Sequence, residues 1–229
     1  MVSYIDKQLK IIEKIDNNIL SEVKNYYYKY IYTTEQEFIQ ESLTKSKNKI
    51  EGNENMKKSN DYQNIIDISA EILNNNGFSV NKDEWFLELH KYNIKNDMYI
   101  NKTKNEFIKD KKYNPKEISQ FMFKNENIHE KLYRRYSDFE WHDDDCNNSF
   151  NCHTVIFFLK KTPKNNVGGN FYWKPKDENG EEMKKQKIKI TDNMVLLMRG
   201  DIWHSPGWIL SDKIQKINRE LLVVQIKRL

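Results

Sequence analysis

The C-terminal hundred residues have a pattern that strongly limits the fold. From about residue 131, short runs of β-branched and aromatic residues alternate with glycine, proline, asparagine and aspartate. The runs are KLYRRY, HTVIFFLK, GNFYWK, QKIKIT, MVLLMRG and RELLVVQIK. Runs of this length and composition are typical of β-strands, and their close spacing favours antiparallel pairing. We therefore predict that residues 131–229 form an antiparallel β-sandwich or barrel.

The first 130 residues carry helical patterns. Apolar residues at three- and four-residue spacing predict an amphipathic helix within residues 1–45. Further helices are predicted over residues 61–76, where Gly77 provides the C-terminal cap, 82–92 and 115–124. The tyrosine cluster NYYYKYIYTT is expected to pack on the sheet, and the polar stretch 45–60 is expected to be a mobile loop.

These patterns predict an α+β fold that is mainly β. The expected organisation is a single composite domain, with a helical region over residues 1–130 packed on a β-rich catalytic core over residues 131–229. The chain of 229 residues is long enough to bury a substantial core. We therefore look for one active site.

Composition excludes some classes of function. The 38 basic and 34 acidic residues nearly balance, which is weak support for a polyanionic partner. No apolar run approaches membrane-spanning length and no leader pattern opens the chain, so an intracellular, cytoplasmic protein without a membrane partner is the default expectation.

In that compartment a disulfide bond between Cys146 and Cys152 is not expected. These cysteines and His153 lack a fourth ligand for a zinc site, and His153 is expected to be an ordinary strand residue.

The stretch FEWHDDDCN places His142 directly before three aspartates. In an extended chain, His142 and Asp144 point to the same side, whereas Asp143 and Asp145 point to the other and are expected to orient ligands or face solvent. His204 follows the apolar run NMVLLMRG, 62 residues after His142. Two imidazoles and one carboxylate form the triad that binds non-haem Fe(II) and leaves coordination positions open. His90 and His129 lie outside the β-rich half and are not expected to participate.

Arg219 begins the last predicted strand and is suited to bind a carboxylate through two charge-assisted hydrogen bonds. The order of His-x-Asp, a later histidine and then an arginine resembles the Fe(II)/2-oxoglutarate-dependent dioxygenase superfamily, most nearly its prolyl- and lysyl-hydroxylase-like branch. The resemblance covers residues 131–229. It includes VGGNFYW, which is similar to the family's Gly-Gly turn and following strand, and NMVLLMRGDIWHSPG, which resembles the strand and turn before the distal histidine.

The resemblance implies a double-stranded β-helix, a variant of the jelly roll, with His142, Asp144 and His204 at its open mouth. It implies Fe(II), 2-oxoglutarate and O2 as cofactor and co-substrates, with ascorbate as a supporting reductant, and hydroxylation with release of succinate and CO2. Arg219 would bind the distal carboxylate of 2-oxoglutarate. An aromatic hydroxyl near the co-substrate would come from Tyr133 or Tyr136.

Two departures from the family pattern leave alternatives open. Asn170 follows Gly-Gly where the family commonly has an acidic residue, and 15 positions separate His204 from Arg219. The long intervening loop makes Lys213 and Lys216 rivals for the carboxylate. We prefer Arg219, because a strand holds a side chain more rigidly than a loop.

The resemblance leaves the substrate open. The branch favours a protein or peptide side chain, prolyl or lysyl, and a small-molecule substrate is also compatible with it. An alternative is hydroxylation or demethylation of nucleic-acid bases, with a basic rim formed by Arg134, Arg135, Lys160, Lys161 and Lys164. A cupin-like jelly roll that binds metal without catalysis is the other alternative. Four tryptophans could either line the substrate pocket or pack in the core: Trp141, Trp173, Trp203 and Trp208.

Overall fold

The computed structural model describes residues 2–4, 7–31, 38–46, 48–95, 141–145, 150–162, 167–168, 170–206, 209–210 and 216–229. The helices in these ranges are α1 (Asn17–Tyr30), α2 (Glu54–Lys57) and α3 (Asp61–Asn75). The strands are β1 (Val2–Tyr4), β2 (Leu9–Ile12), β3 (Phe38–Ser46), β4 (Lys49–Gly52), β5 (Val80–Lys95), β6 (Cys152–Thr162), β7 (Val167–Gly168), β8 (Phe171–Trp173), β9 (Gln186–Ile188), β10 (Met194–Arg199), β11 (His204–Pro206), β12 (Ile209–Leu210) and β13 (Lys216–Arg228).

The described strands form one large antiparallel sheet and two smaller ones. The large sheet has eight strands in the order β1-β2-β10-β6-β13-β5-β3-β4. A three-stranded sheet has the order β11-β8-β9, and β12 pairs with β7. The strands at the centre of the large sheet, β6 and β13, come from the β-rich half, but β5 pairs with β13 along almost its whole length.

Alternation of side chains along the central strands produces two cores. On one face of the large sheet, Leu222 and Val224 of β13 and Leu87 of β5 pack against α1 and α3. On the other face, Leu221 and Val223 belong to a second cluster that includes Phe171 and Trp173 of the three-stranded sheet. Two sheets that face each other across a shared apolar cluster confirm the predicted jelly-roll architecture, a mainly β double-stranded β-helix.

The helices cover the first of these faces and have clear local signals. The side chain of Asp16 caps α1 by accepting hydrogen bonds from the backbone of Asn18 and Ile19. Gly77, with a φ of 82°, ends α3 in a Schellman motif, in which the amide of Phe78 donates to the carbonyl of Leu73. None of the described helices is long and apolar enough to cross a membrane.

The tyrosine cluster packs as predicted. Tyr26, Tyr27 and Tyr30 lie on one face of α1 and are buried in the first core. The hydroxyl of Tyr27 donates to the backbone carbonyl of His90 in β5, and the hydroxyl of Tyr28 donates to Glu220 in β13. The cluster therefore fixes α1 on the sheet.

Two predictions for the first 95 residues are wrong and one is confirmed in part. Within residues 1–45, α1 is the predicted amphipathic helix, but strands β1, β2 and β3 lie on either side of it, and the helix predicted over 82–92 is part of the strand β5. The stretch 45–60, predicted to be a loop, contains β4 and α2. In the hairpin of β3 and β4, Gly52 has a φ of 112°, and a Cβ at this position would come within 2.4 Å of the carbonyl oxygen of Ser42.

The region expected to be helical thus also supplies five strands to the large sheet. The physical reason is that β10 and β13 of the β-rich half need partners on their outer sides, and β2 and β5 supply them, while β3 in turn pairs with β5. The helix predicted over 115–124 lies outside the described residues.

Candidate metal centre

The structure brings His142, Asp144 and His204 together as predicted. Their ligand-type atoms all lie within 4.8 Å of one another. The Nε2 atoms of His142 and His204 are 4.0 Å and 3.8 Å from Oδ1 of Asp144. Two imidazole nitrogens and one carboxylate oxygen at this separation fit a divalent transition metal of the non-haem iron type.

Backbone pairing places the two histidines side by side. His142 and His204 exchange hydrogen bonds in an isolated antiparallel bridge, with N···O distances of 3.0 and 2.9 Å. Their rings consequently lie 4.3 Å apart between centroids. The link between the His-x-Asp segment and β11 is therefore made by the main chain and does not depend on a bound metal.

His204 is held in the orientation and protonation state that a ligand requires. Its Nδ1–H donates to the carbonyl of Ile202 at 2.9 Å, which leaves Nε2 facing Asp144 without a proton. The ring of Phe171 stacks on it at a centroid distance of 5.4 Å. Burial lowers the pKa of His204, so the neutral imidazole that binds metal is favoured.

Asp144 is buried and held through its second oxygen. The hydroxyl of Thr154 in β6 donates to Oδ2 of Asp144 at 2.5 Å, while Oδ1 faces the two histidines. The amide of Asp144 also donates to the carbonyl of Gly200 at 2.8 Å. These contacts fix one oxygen as the ligand candidate and anchor the segment to the large sheet.

Asp145 has a structural role at the same junction. Its carboxylate accepts the amide hydrogen of Cys152 at 2.7 Å and lies 3.5 Å from the guanidinium of Arg228. Gly200 closes the junction, because a Cβ there would come within 2.3 Å of Oδ1 of Asp145 and 2.5 Å of Sγ of Cys152. The turn after β10 therefore has no room for a side chain at position 200.

The tryptophans that precede the two histidines, Trp141 and Trp203, both contact Lys174. The ammonium of Lys174 lies 5.3 Å from the ring centre of Trp141 and 5.9 Å from that of Trp203. The amide of Lys174 donates to the carbonyl of Trp203 at 2.9 Å, and its ammonium pairs with Glu182. This cation–π contact supports the pairing of the two ligand segments from outside.

The triad lines a cavity of about 100 Å³ between the sheets. The described residues around it are Glu88, His90, His142, Asp144, Ile156, Phe158, Phe171, His204, Arg219, Leu221, Val223 and Gln225. Apolar atoms supply most of the surface of this wall, and its seven polar residues come from the triad and from β5 and β13. Among the described tryptophans, none lines it: Trp173 belongs to the core, and Trp141 and Trp203 contact Lys174.

Arg219 lies in the same cavity as the triad. It is the fourth residue of β13, its side chain is buried, and its guanidinium carbon is 5.9 Å from the ring centre of Phe158. Of its rivals, Lys213 lies outside the described residues, and Lys216 begins β13. The structure thus places a buried cation in the cavity that holds the candidate metal ligands.

His90 and Glu88 were missed by the sequence reasoning. His90 was set aside because it precedes the β-rich half, but it belongs to β5 and lines the cavity. Its Nε2 lies 2.8 Å from Oε2 of Glu88, and both side chains are at least four-fifths buried. The missed signal was the placement of Trp85, Leu87 and Leu89 at every second position, with Glu84, Glu88 and His90 between or beside them, which is the period of a half-buried strand.

Other predicted residues have simpler outcomes. Tyr133 and Tyr136, the candidates for the aromatic hydroxyl, lie outside the described residues, as do Cys146 and Trp208. His153 lies in β6 as expected and is not in the triad, and Cys152 is buried. Of the basic rim considered for nucleic acid, only Lys160 has a described side chain, and it is exposed.

Comparison with known proteins supports the fold but not a closer assignment. No family model matches the chain, and no curated protein matches its sequence. Among solved structures, this chain is similar to an oxidoreductase of the 2OG-Fe(II) oxygenase family from Burkholderia pseudomallei. The alignment covers 97% of this chain and 85% of the other chain, with a TM-score of 0.55 and 9% sequence identity. The chain is also similar to IDO from Bacillus thuringiensis, where the alignment covers 97% of this chain and 93% of the other chain, with a TM-score of 0.51 and 11% sequence identity.

These matches confirm at the level of fold the resemblance that the motifs indicated. They also extend it, because the motifs covered only residues 131–229, whereas each structural match spans nearly the whole chain. The N-terminal strands therefore belong to the shared fold.

Proposed function

We propose that this chain is an Fe(II)- and 2-oxoglutarate-dependent dioxygenase that hydroxylates its substrate. The observation that carries the proposal is the joint placement of His142, Asp144, His204 and Arg219 around one cavity. A metal triad alone would also suit a binding module. A buried guanidinium in the same cavity adds the feature that a 2-oxo dicarboxylate requires.

The chain's own groups have distinct roles in this proposal. His142, Asp144 and His204 hold Fe(II), with Thr154 and the carbonyl of Ile202 orienting two of these ligands. Bound Fe(II) with 2-oxoglutarate and O2 supplies the oxidising power for hydroxylation, and succinate and CO2 are released. Ascorbate serves as a reductant that keeps the iron ferrous.

Arg219 binds the distal carboxylate of 2-oxoglutarate. Burial of the guanidinium strengthens its attraction for an anion, because less water screens the charge. The ring of Phe158 supports its position. The apolar wall formed by Ile156, Phe171 and Val223 excludes water from the reacting groups.

The proposed substrate is a protein or peptide side chain, prolyl or lysyl. A cavity of about 100 Å³ suits one side chain or a small molecule better than an extended surface. Base hydroxylation in nucleic acid is the second candidate from the sequence; it would use a basic rim, of which the structure describes only the exposed side chain of Lys160.

Formation of succinate from 2-oxoglutarate tests the proposal without knowledge of the substrate. The purified protein, with Fe(II), ascorbate and O2, is expected to form succinate slowly by uncoupled turnover. His142→Ala and Arg219→Ala are expected to lose this activity, whereas Lys160→Ala, which removes an exposed cation from the neighbouring strand β6, is expected to retain it. Absence of succinate formation, together with metal binding that is unaffected by Arg219→Ala, would favour a non-catalytic, cupin-like module.

A further inference from the structure

The cavity contains a second pair of polar side chains that the metal and 2-oxoglutarate do not require. Glu88 and His90 project from β5, and a distance of 2.8 Å joins Oε2 of Glu88 to Nε2 of His90. Gln40 of the neighbouring strand β3 donates a hydrogen bond to Oε1 of Glu88. The carboxylate is thus held in place from both sides.

Strand register shows where this pair lies. Glu88 is opposite Val223 and His90 is opposite Leu221 in the antiparallel pair of β5 and β13. Leu221 and Val223 lie between Arg219 and Gln225 on the cavity face of β13. Gln225 in turn pairs with Thr154, which contacts Asp144. Glu88 and His90 therefore flank the cavity between the buried guanidinium and the metal triad.

The charges of the cavity indicate what this position can bind. A divalent metal and Arg219 together balance Asp144 and the two carboxylates of 2-oxoglutarate. Glu88 then adds a further carboxylate to this cavity, and among the described residues its side-chain partners are His90 and Gln40, with no lysine or arginine paired to it. A cationic group on the substrate would compensate it, whereas an anionic group would be repelled.

From this arrangement we infer that Glu88, oriented by His90 and Gln40, is the substrate-recognition residue for an alkylammonium group. The inference rests on the proposed function, because it concerns the substrate of the same site. The aliphatic part of such a substrate would pack on Leu221, Val223 and Ile156, and its ammonium would reach the carboxylate. Of the two side chains proposed as substrates, only lysyl carries such a group.

Calorimetry with matched probes tests this inference. The protein is first loaded with Mn(II) and 2-oxoglutarate, and is then titrated with Nα-acetyl-L-lysine methylamide or with the norleucine analogue, which lacks the ammonium. n-Pentylamine and 1-pentanol form a second pair that separates a peptide substrate from a free amine. The charged member of at least one pair is expected to bind about tenfold more tightly or better.

Glu88→Gln is expected to remove this preference without changing the affinity for 2-oxoglutarate. The control is Glu84→Gln, which removes the same charge from the same strand. Glu84 pairs with Lys227 and does not line the cavity, so this variant is expected to retain the preference for the charged probe. Unaltered binding of 2-oxoglutarate by Glu88→Gln also shows that this variant is folded.

Several outcomes would overturn the inference. Equal or absent binding of the charged and neutral probes by the wild type would do so, as would a preference that survives Glu88→Gln. Loss of 2-oxoglutarate binding in Glu88→Gln would instead assign Glu88 to the co-substrate. A wild-type protein that fails the first loading step would refute the proposed function itself, and the inference with it.

Discussion

At the scale of single residues, three consecutive aspartates have three different environments. Asp144 faces the two histidines and accepts a hydrogen bond from Thr154, whereas Asp145 holds the chain through Cys152 and Arg228. Asp143 is buried beside them. The alternation rule correctly separated Asp144 from its neighbours, but it did not reveal that Asp145 anchors the motif to β6, because this contact depends on a turn at Gly200.

The Thr154 hydroxyl is expected to raise metal affinity. Thr154→Val keeps the shape of the side chain but removes the hydrogen bond that orients Asp144. Loss of such a supporting contact typically weakens metal binding about 10- to 100-fold. Titration with Mn(II) measures this effect. Thr44→Val is the control, because it removes a hydrogen bond from a threonine hydroxyl to the carbonyl of Trp85 in the same sheet. If the Thr44→Val and Thr154→Val variants bind Mn(II) with equal affinity, the role assigned to Thr154 is wrong.

At the scale of elements, β5 shows how a strand can be mistaken for a helix. Its sequence DEWFLELH is rich in residues that also form helices, and Phe86 interrupts the alternation of Trp85, Leu87 and Leu89 with polar residues. In the structure, Trp85, Leu87 and Leu89 pack on one side and Glu88 and His90 line the cavity on the other. Pairing with β13 decided the outcome, since tertiary context overrides weak local propensity.

Helix capping is expected to contribute to stability without affecting the metal centre. Asp16→Ala removes the side-chain cap of α1 and should lower the free energy of unfolding by about 1 kcal/mol. Asn60 is the N-cap residue of α3, but its side chain makes no capping hydrogen bond. Asn60→Ala should therefore change the free energy of unfolding by less than about 0.5 kcal/mol. Denaturant unfolding compares the two variants. Equal losses would show that the cap of α1 does not stabilise the fold.

The parts predictable from sequence were those with local signals. The strands β6, β10 and β13 are continuous apolar runs, and α3 has both a period and a glycine cap, so each was predicted at nearly its observed place. The triad and Arg219 were predicted from order along the chain, and the structure brings them into one cavity. The strands β2 and β3 depend on pairing with β10 and β5, which are distant in sequence, and the place of His90 in the cavity depends on the pairing of β5 with β13; no local pattern encodes these partners.

At the scale of the whole molecule, the N-terminal segments and the β-rich half share the large sheet and the core between this sheet and the helices. His153 lies in this shared core, with its ring 5.1 Å from that of Phe78. Burial, and then the positive charges of Arg228 and Arg199, lower the pKa of His153 to about 4. The unfolded chain therefore binds more protons than the folded chain between about pH 4 and the ordinary histidine pKa of about 6.5.

Acid is consequently expected to destabilise the protein partly through His153. This contribution is fully present above about pH 6.5 and is lost as the pH falls towards 4, with a total of about 3 kcal/mol. His153→Gln cannot be protonated in this range, so its free energy of unfolding should fall less between pH 7 and 4.5 than that of the wild type. Parallel curves for the two proteins would show that His153 does not contribute to the pH dependence.

The measurement that tests the central claim most directly is calorimetric binding of 2-oxoglutarate with and without Mn(II). If the triad and Arg219 form one site, the wild type binds 2-oxoglutarate only when Mn(II) is present, and His142→Ala abolishes this binding. His142 is suited to this test because its side chain is 40% exposed, so its removal should leave the fold intact. Binding that is independent of Mn(II) and of His142, or no binding at all, would contradict the account.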